Sequence, residues 1–173
     1  KGPGCWGEGW VFLPAMGDPG ENRERVNFAF LFENDPPPPH VEENGNTLHI
    51  DFAPNLPDVF VEKDRFIQVF ANLLTNAAKY TRNGKISVTA EYDSAYITVR
   101  VTDTGDGIAP DLLPRLFSQG VSGYGGTGRG LYICKTIVEA HGGTIIIENG
   151  KLGGAVVTFT VPVYGGQEAG HTQ

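Results

Sequence analysis

The strongest periodicity in the chain lies in VEKDRFIQVFANLLTNAAKY, residues 61–80. Phe66, Val69, Phe70, Leu73, Leu74 and Ala77 recur at intervals of three and four, which lines them up on one helical face and predicts a helix across this stretch. A second helical pattern runs from about Gly130 to Ala140 and carries Cys134 as a core residue. Elsewhere the alternation has period two. TLHIDF (47–52) reads as a strand and PNLPD (54–58) as a turn. KISVTAEY and AYITVRVTD read as an antiparallel pair turning at Asp93-Ser94, and GTIIIEN with GAVVTFTVPV as a closing hairpin. RVNFAFLF (25–32) alternates only in part and fits either a strand or the end of a short helix. The run NDPPPPH interrupts regular structure, because successive prolines lack donors and favour polyproline II.

After residue 46 the predicted order is strand, helix, two strands, loop, helix, two strands. This pattern predicts an α/β fold, a two-layer sandwich with helices packed on one face of a mixed, mainly antiparallel sheet. Residues 1–24 are expected to be a leader or linker, rich in glycine but holding Trp6, Trp10 and Phe12. Residues 25–162 form the expected domain and 163–173 a tail. With 173 residues and 40% hydrophobic content, one sizeable core is within reach.

Charge narrows the classes of partner. A formal net charge of −7 weighs against nucleic acid. It also means that any polyanionic ligand needs a metal ion or local backbone dipoles to offset repulsion. The two cysteines, Cys5 and Cys134, do not suggest a disulfide framework. No apolar run is long enough to span a membrane, and the first residues do not read as a signal peptide. The expectation is a cytoplasmic module without direct membrane insertion, whose parent protein is free to carry a membrane anchor elsewhere.

Three stretches carry candidate chemistry. On the first helix, Asn72, Asn76 and Lys79 are spaced by four and three and share one surface, with Tyr80 beside them. Amides there can bond phosphate or offer a neutral oxygen to Mg²⁺, and lysine can meet phosphate charge; an ordinary solvated face has the same composition. Next comes Asp103-Thr104-Gly105-Asp106-Gly107-Ile108 at a strand end. Asp103 can accept a hydrogen bond from an adenine amino group, Gly105 and Gly107 permit close backbone approach, and Ile108 can wall a base. A surface turn is the alternative. Third, Gly126, Gly128 and Gly130 alternate before the second helix, with Thr127 and Arg129 between them and Leu131 after. That arrangement exposes backbone N–H groups and the positive end of a helix dipole to an anion.

Taken in order, NLLTNAAKYT (72–81), DTGDGI (103–108) and GGTGRGL (125–131) resemble the N, G1 and G2 boxes of the ATP-binding domain of sensor histidine kinases. The wider family includes gyrase, the Hsp90 chaperones and mismatch-repair ATPases, which share a Bergerat-type fold. DRFIQVFANLLTNAAKYT and LYICKTIVEAHGG look like the sensor-kinase branch, and the resemblance spans about residues 56–162. It implies ATP and Mg²⁺ as ligands. By the same resemblance Asn76 holds the metal, Asn72 and Lys79 approach the phosphates, Tyr80 borders the nucleotide and Asp103 reads adenine. It also implies a separate histidine-containing dimerisation domain as phosphoacceptor and, indirectly, a response regulator.

The departures matter as well. ATP-hydrolysing relatives carry a glutamate where Asn72 stands, and an amide cannot act as a carboxylate base, which disfavours strong hydrolysis. None of His40, His49, His141 and His171 sits in a phosphoacceptor pattern, and His141 precedes a Gly-Gly helix stop suited to a capping role. The segment between the glycine boxes is short and retains Phe117 without a second phenylalanine soon after. Ala155 replaces the threonine that usually follows Gly154. A degenerate module that binds or regulates without phosphotransfer is the alternative these departures raise.

Overall fold

A computed structural model describes residues 20–33, 45–79, 81–108, 110, 130–151 and 153–165. Its elements are β1 (Glu24–Asn27), α1 (Phe30–Glu33), β2 (Thr47–Phe52), β3 (Asp58–Val61), α2 (Lys63–Lys79), β4 (Lys85–Tyr92), β5 (Tyr96–Asp103), α3 (Gly130–Ala140), β6 (Ile145–Asn149) and β7 (Ala155–Pro162). Five strands form one sheet in the order β2-β4-β5-β7-β6. The β2–β4 pair is parallel, while β4–β5, β5–β7 and β6–β7 are antiparallel. Helices α2 and α3 cover one face, so the architecture is the mixed, mainly antiparallel two-layer sandwich expected from the sequence.

Period-two alternation decides which side chains enter the core. Ile86, Val88 and Ala90 of β4, Ile97, Val99 and Val101 of β5, and Val157, Phe159 and Val161 of β7 are buried. Their neighbours Thr89, Thr98, Thr158 and Thr160 are only partly covered. From the helices, Phe66 and Phe70 meet Phe159, with ring centroids 6.2 and 5.7 Å apart. Helix α2 is buried more fully than its apolar stripe requires. Arg65, Gln68 and Asn72 are buried along with the hydrophobic face, because α3 and the short α1 also pack against the helix.

The structure resolves two ambiguities of the sequence pattern. RVNFAFLF splits between the strand β1 and the helical turn α1. The long helix starts at Lys63 rather than at residue 61, because Asp58–Val61 forms β3, antiparallel to β1. Val59 and Val61 point inward and Phe60 outward, an alternation too short to stand out beside a long helical window. Beyond residue 162 the chain still pairs: Val163 bridges Val59, and the Tyr164 N–H donates to the Asp58 carbonyl at 2.8 Å. At the other end, Gly20 and Asn22 donate backbone N–H bonds to the Glu62 carboxylate at 2.6 and 2.9 Å. Among the described residues, no helix is long and apolar enough to cross a membrane.

Candidate functional site

Asp103 is the last residue of β5, and its buried side chain turns toward the loop that follows. Its Oδ1 accepts the Gly105 N–H at 2.9 Å and the Ala155 N–H at 3.3 Å. The first bond is an Asx-type turn that lifts the chain off the strand. The second ties the carboxylate to the adjacent β7. Gly154 makes this approach feasible. Its φ is +77°, and a Cβ there would lie 1.8 Å from the Asp103 carbonyl oxygen. The loop continues through half-buried Gly105 and Gly107 to buried Ile108. Thr104 anchors its other side, its Oγ1 accepting the Lys85 N–H at 3.1 Å.

Helix α2 supplies the second wall. Along it the three singled-out side chains form a gradient: Asn72 is buried, Asn76 half-buried and Lys79 exposed. Lys79 and Gly105 line the same cavity of about 360 Å³, together with Arg82, Thr104 and Asp106. The fold therefore brings the end of the asparagine helix and the Asp-Gly loop to one opening. Arg82 and Thr104 were not singled out in the sequence; a basic residue just past the helix and a hydroxyl beside Asp103 were the only signals.

Asn72 is buried where α2 faces α3. Its Nδ2 is buried and has no hydrogen-bond partner among the described residues. The amide faces the Cys134 thiol and favours its thiolate. Burial dominates, pushing the Cys134 thiol up to about 12. The Asn72 side chain is thus turned toward the contact between α2 and α3, and Asn72 does not line the cavity shared by Lys79 and Gly105. For a cation the donor set is sparse: among the described residues no group of three His, Cys, Asp or Glu side chains could hold a metal.

Of the third stretch, Gly130 begins α3 and Leu131 is buried in the core. Gly126, Thr127, Gly128 and Arg129 lie outside the described residues, as do Tyr80 and Phe117. Of the histidines, His49 is exposed on β2. His141 is buried, its Nδ1 2.8 Å from the Ile137 carbonyl and its Nε2 accepting the Glu62 N–H at 3.1 Å. His40 and His171 lie outside the described residues.

Residues 61–165 match the family profile described as histidine kinase-, DNA gyrase B-, and HSP90-like ATPase. The adaptive-response sensory kinase SasA of Synechococcus sp. (strain CC9311) is 41% identical over 129 residues, covering 70% of this chain and 34% of that protein. This chain thus spans about a third of that relative's length. Among solved structures, the catalytic domain of histidine kinase ThkA superposes with a TM-score of 0.71 at 29% identity, covering 82% of this chain and 98% of that one. Full-length ShkA in complex with AMPPNP gives a TM-score of 0.72 at 30% identity, covering 82% of this chain and 31% of that one. ThkA in complex with the response regulator protein TrrA gives 0.67 at 27% identity, covering 82% and 42%.

Proposed function

The chain belongs to the family of histidine kinase-, DNA gyrase B- and HSP90-like ATPases, and from that premise we propose that it is the ATP- and Mg²⁺-binding catalytic module of a sensor histidine kinase. It delivers the γ-phosphoryl group of ATP to a histidine on a separate dimerisation and phosphoacceptor domain, and a response regulator is the downstream partner. The observation that carries this reading is the opening shared by Lys79 and the loop after Asp103. It sets a cationic helix end beside a built carboxylate turn, the two chemistries needed for phosphate and for an adenine amino group. The likeness to a kinase solved with AMPPNP and to one solved with a response regulator supports the ligand and the partner.

In this reading the Asp103 carboxylate, oriented by the Gly105 and Ala155 N–H bonds, accepts a hydrogen bond from the adenine amino group. Gly105 and Gly107 let the backbone approach the ring, Ile108 walls it and Tyr80 borders it. Asn72 and Lys79 approach the phosphates. The Gly126–Gly128–Gly130 stretch, with Thr127, Arg129 and Leu131, cradles the phosphates before α3. Asn76 would hold Mg²⁺ through its neutral amide oxygen, and the ion would supply neutralisation of phosphate charge there. This chain's residues position the γ-phosphoryl group, while the nucleophile comes from outside. His141 cannot serve, since it is buried with both ring nitrogens engaged. Asn72 lacks the basicity to activate water, so transfer is favoured over hydrolysis.

Calorimetric titration with a nonhydrolysable ATP analogue, with and without Mg²⁺, tests the pocket. Binding strengthened by Mg²⁺ and lost in Asp103→Ala is expected; no binding in the wild type refutes the reading. A second reading, a nucleotide-binding regulatory module without transfer, is favoured by Ala155, which offers Asp103 only its backbone N–H. Nucleotide binding with no labelling of a supplied phosphoacceptor domain selects it.

A further inference from the structure

The last residue of β6 holds the Asp-Gly loop by a contact that no sequence motif marks. Asn149 Oδ1 accepts the Ile108 N–H at 2.7 Å, and Asn149 Nδ2 donates to the Ile108 carbonyl at 2.8 Å. One carboxamide thus satisfies both backbone groups of one residue 41 positions away, as a neighbouring strand would. The seat is shaped for it. Gly107 has φ of +81°, and a Cβ there would lie 2.8 Å from Asn149 Oδ1 and 3.3 Å from the Gly154 carbonyl oxygen.

The position of Asn149 in the ladder explains what the contact does. Asn149 is the register partner of Ala155 in the β6–β7 pair. Ala155 donates its N–H to Asp103 Oδ1 at 3.3 Å, while Asn149 clasps Ile108. A single ladder pair therefore fixes both ends of residues 103–108. The turn that joins the two strands is itself tight, with the Gly150 N–H donating to the Gly154 carbonyl at 2.9 Å. Residues 104–107 span between these two pins, with Thr104 held in addition by the Lys85 N–H and Gly105 by Asp103 Oδ1.

We propose that Asn149 is a positioning residue of the nucleotide site, fixing the Ile108 backbone so that Asp103 and Ile108 present a preformed edge and wall to the base. The inference rests on the nucleotide-binding reading above and adds a residue that touches neither base nor phosphate. It acts on the base end alone. Losing the clasp raises the entropic cost of ordering the loop on binding, and phosphate contacts from α2 are untouched.

The test compares the wild type with Asn149→Leu, which removes both hydrogen bonds, and Asn149→Asp, which keeps the acceptor and loses the donor. Each protein is titrated by calorimetry with adenosine, with a nonhydrolysable ATP analogue and with inorganic tripolyphosphate, at a temperature where circular dichroism shows it folded. Asn149→Leu is expected to weaken adenosine and the ATP analogue by the same factor, about tenfold, and to leave tripolyphosphate unchanged. Asn149→Asp should fall between it and the wild type. Lys79→Ala is the opposite control, weakening the analogue and tripolyphosphate but not adenosine. Wild-type affinity for adenosine in folded Asn149→Leu overturns the inference. So does an equal loss for all three probes, which marks a general structural effect. If Asn149→Leu does not fold, Asn149→Asp decides by the same criterion. Absence of adenine-nucleotide binding in the wild type overturns the functional reading and this inference with it.

Discussion

The backbone N–H of Glu62 donates to Nε2 of His141 across 3.1 Å, joining the start of α2 to the end of α3 over 79 residues. The bond fixes the tautomer: Nε2 accepts, so Nδ1 carries the hydrogen and donates to the Ile137 carbonyl at 2.8 Å. On the other side the Glu62 carboxylate accepts the N–H groups of Gly20 and Asn22 and faces the Arg65 guanidinium at 3.4 Å. Phe66 packs edge-on against the imidazole, with ring centroids 4.8 Å apart.

This arrangement predicts acid sensitivity in two windows. Burial holds His141 below its ordinary value of 6.5, and Arg23 and Arg65 push the same way against the Ile137 carbonyl and Glu62. The neutral ring is therefore the folded form. Its stabilisation is complete above about pH 6.5 and is lost as pH falls from there through the lower folded value. Burial pushes Glu62 up, but the Gly20 and Asn22 N–H bonds, Arg65 and His141 outweigh it and hold the carboxyl below 4.5. Its contribution persists through the first window and is lost below about pH 4.5. Urea titrations from pH 8 to about pH 3 are expected to show both declines. His141→Phe should remove the upper one and cost about 1–3 kcal/mol at pH 8 by stranding the Glu62 N–H. An unchanged pH profile in that variant contradicts the assignment.

The close approach of β7 to Asp103 predicts a contrast between adjacent glycines. Gly153 (φ +101°) and Gly154 (φ +77°) both adopt left-handed backbone, but a Cβ at 153 meets nothing within 4 Å, whereas one at 154 overlaps the Asp103 carbonyl. Gly153→Ala is expected to cost only the backbone term, about 1–2 kcal/mol. Gly154→Ala should cost clearly more and also weaken adenosine binding, because it displaces the Asp103 turn. Thermal denaturation and calorimetry of the two variants check this, and equal effects would remove the contact from the account.

The gradient along α2 predicts separable ligand effects. Asn76→Ala should abolish the strengthening of ATP-analogue binding by Mg²⁺ while leaving binding in EDTA nearly unchanged. Lys79→Ala should weaken binding in both conditions by about tenfold. Asn72→Asp places a negative charge where an unpaired amide donor now sits and is expected to weaken phosphate binding most. Parallel titrations separate the roles, and retained Mg²⁺ dependence in Asn76→Ala argues against it as the metal ligand.

Cys134 should be inert in the folded protein. Its residue is 0% exposed and its thiol is pushed up to about 12, so almost no thiolate exists at neutral pH. In a Cys5→Ser background, a thiol-reactive chromogenic disulfide is expected to label nothing at pH 7.5 until denaturant unfolds the domain. Labelling that follows the unfolding midpoint confirms burial; rapid labelling under native conditions contradicts it.

Local pattern by itself determined the two long helices, the strands of six or more residues and the sandwich they build. Each repeats its apolar period often enough to be read without its neighbours. The ordered boxes at Asn72–Asn76, Asp103–Ile108 and Gly126–Gly130 were also legible as motifs, because asparagines at helical spacing and alternating glycines leave a signature in the sequence. Strand β3 was not legible: its alternation spans only Asp58–Val61 and abuts a stronger helical signal. Nor were the contacts that make the site a site. That Ala155 serves Asp103, that Asn149 clasps Ile108 and that Asn72 faces Cys134 depend on strand register and helix packing across 52, 41 and about 60 residues. Tertiary structure alone decided them, because hydrogen bonds of this kind are set by which strands lie side by side and not by the residues that flank each partner.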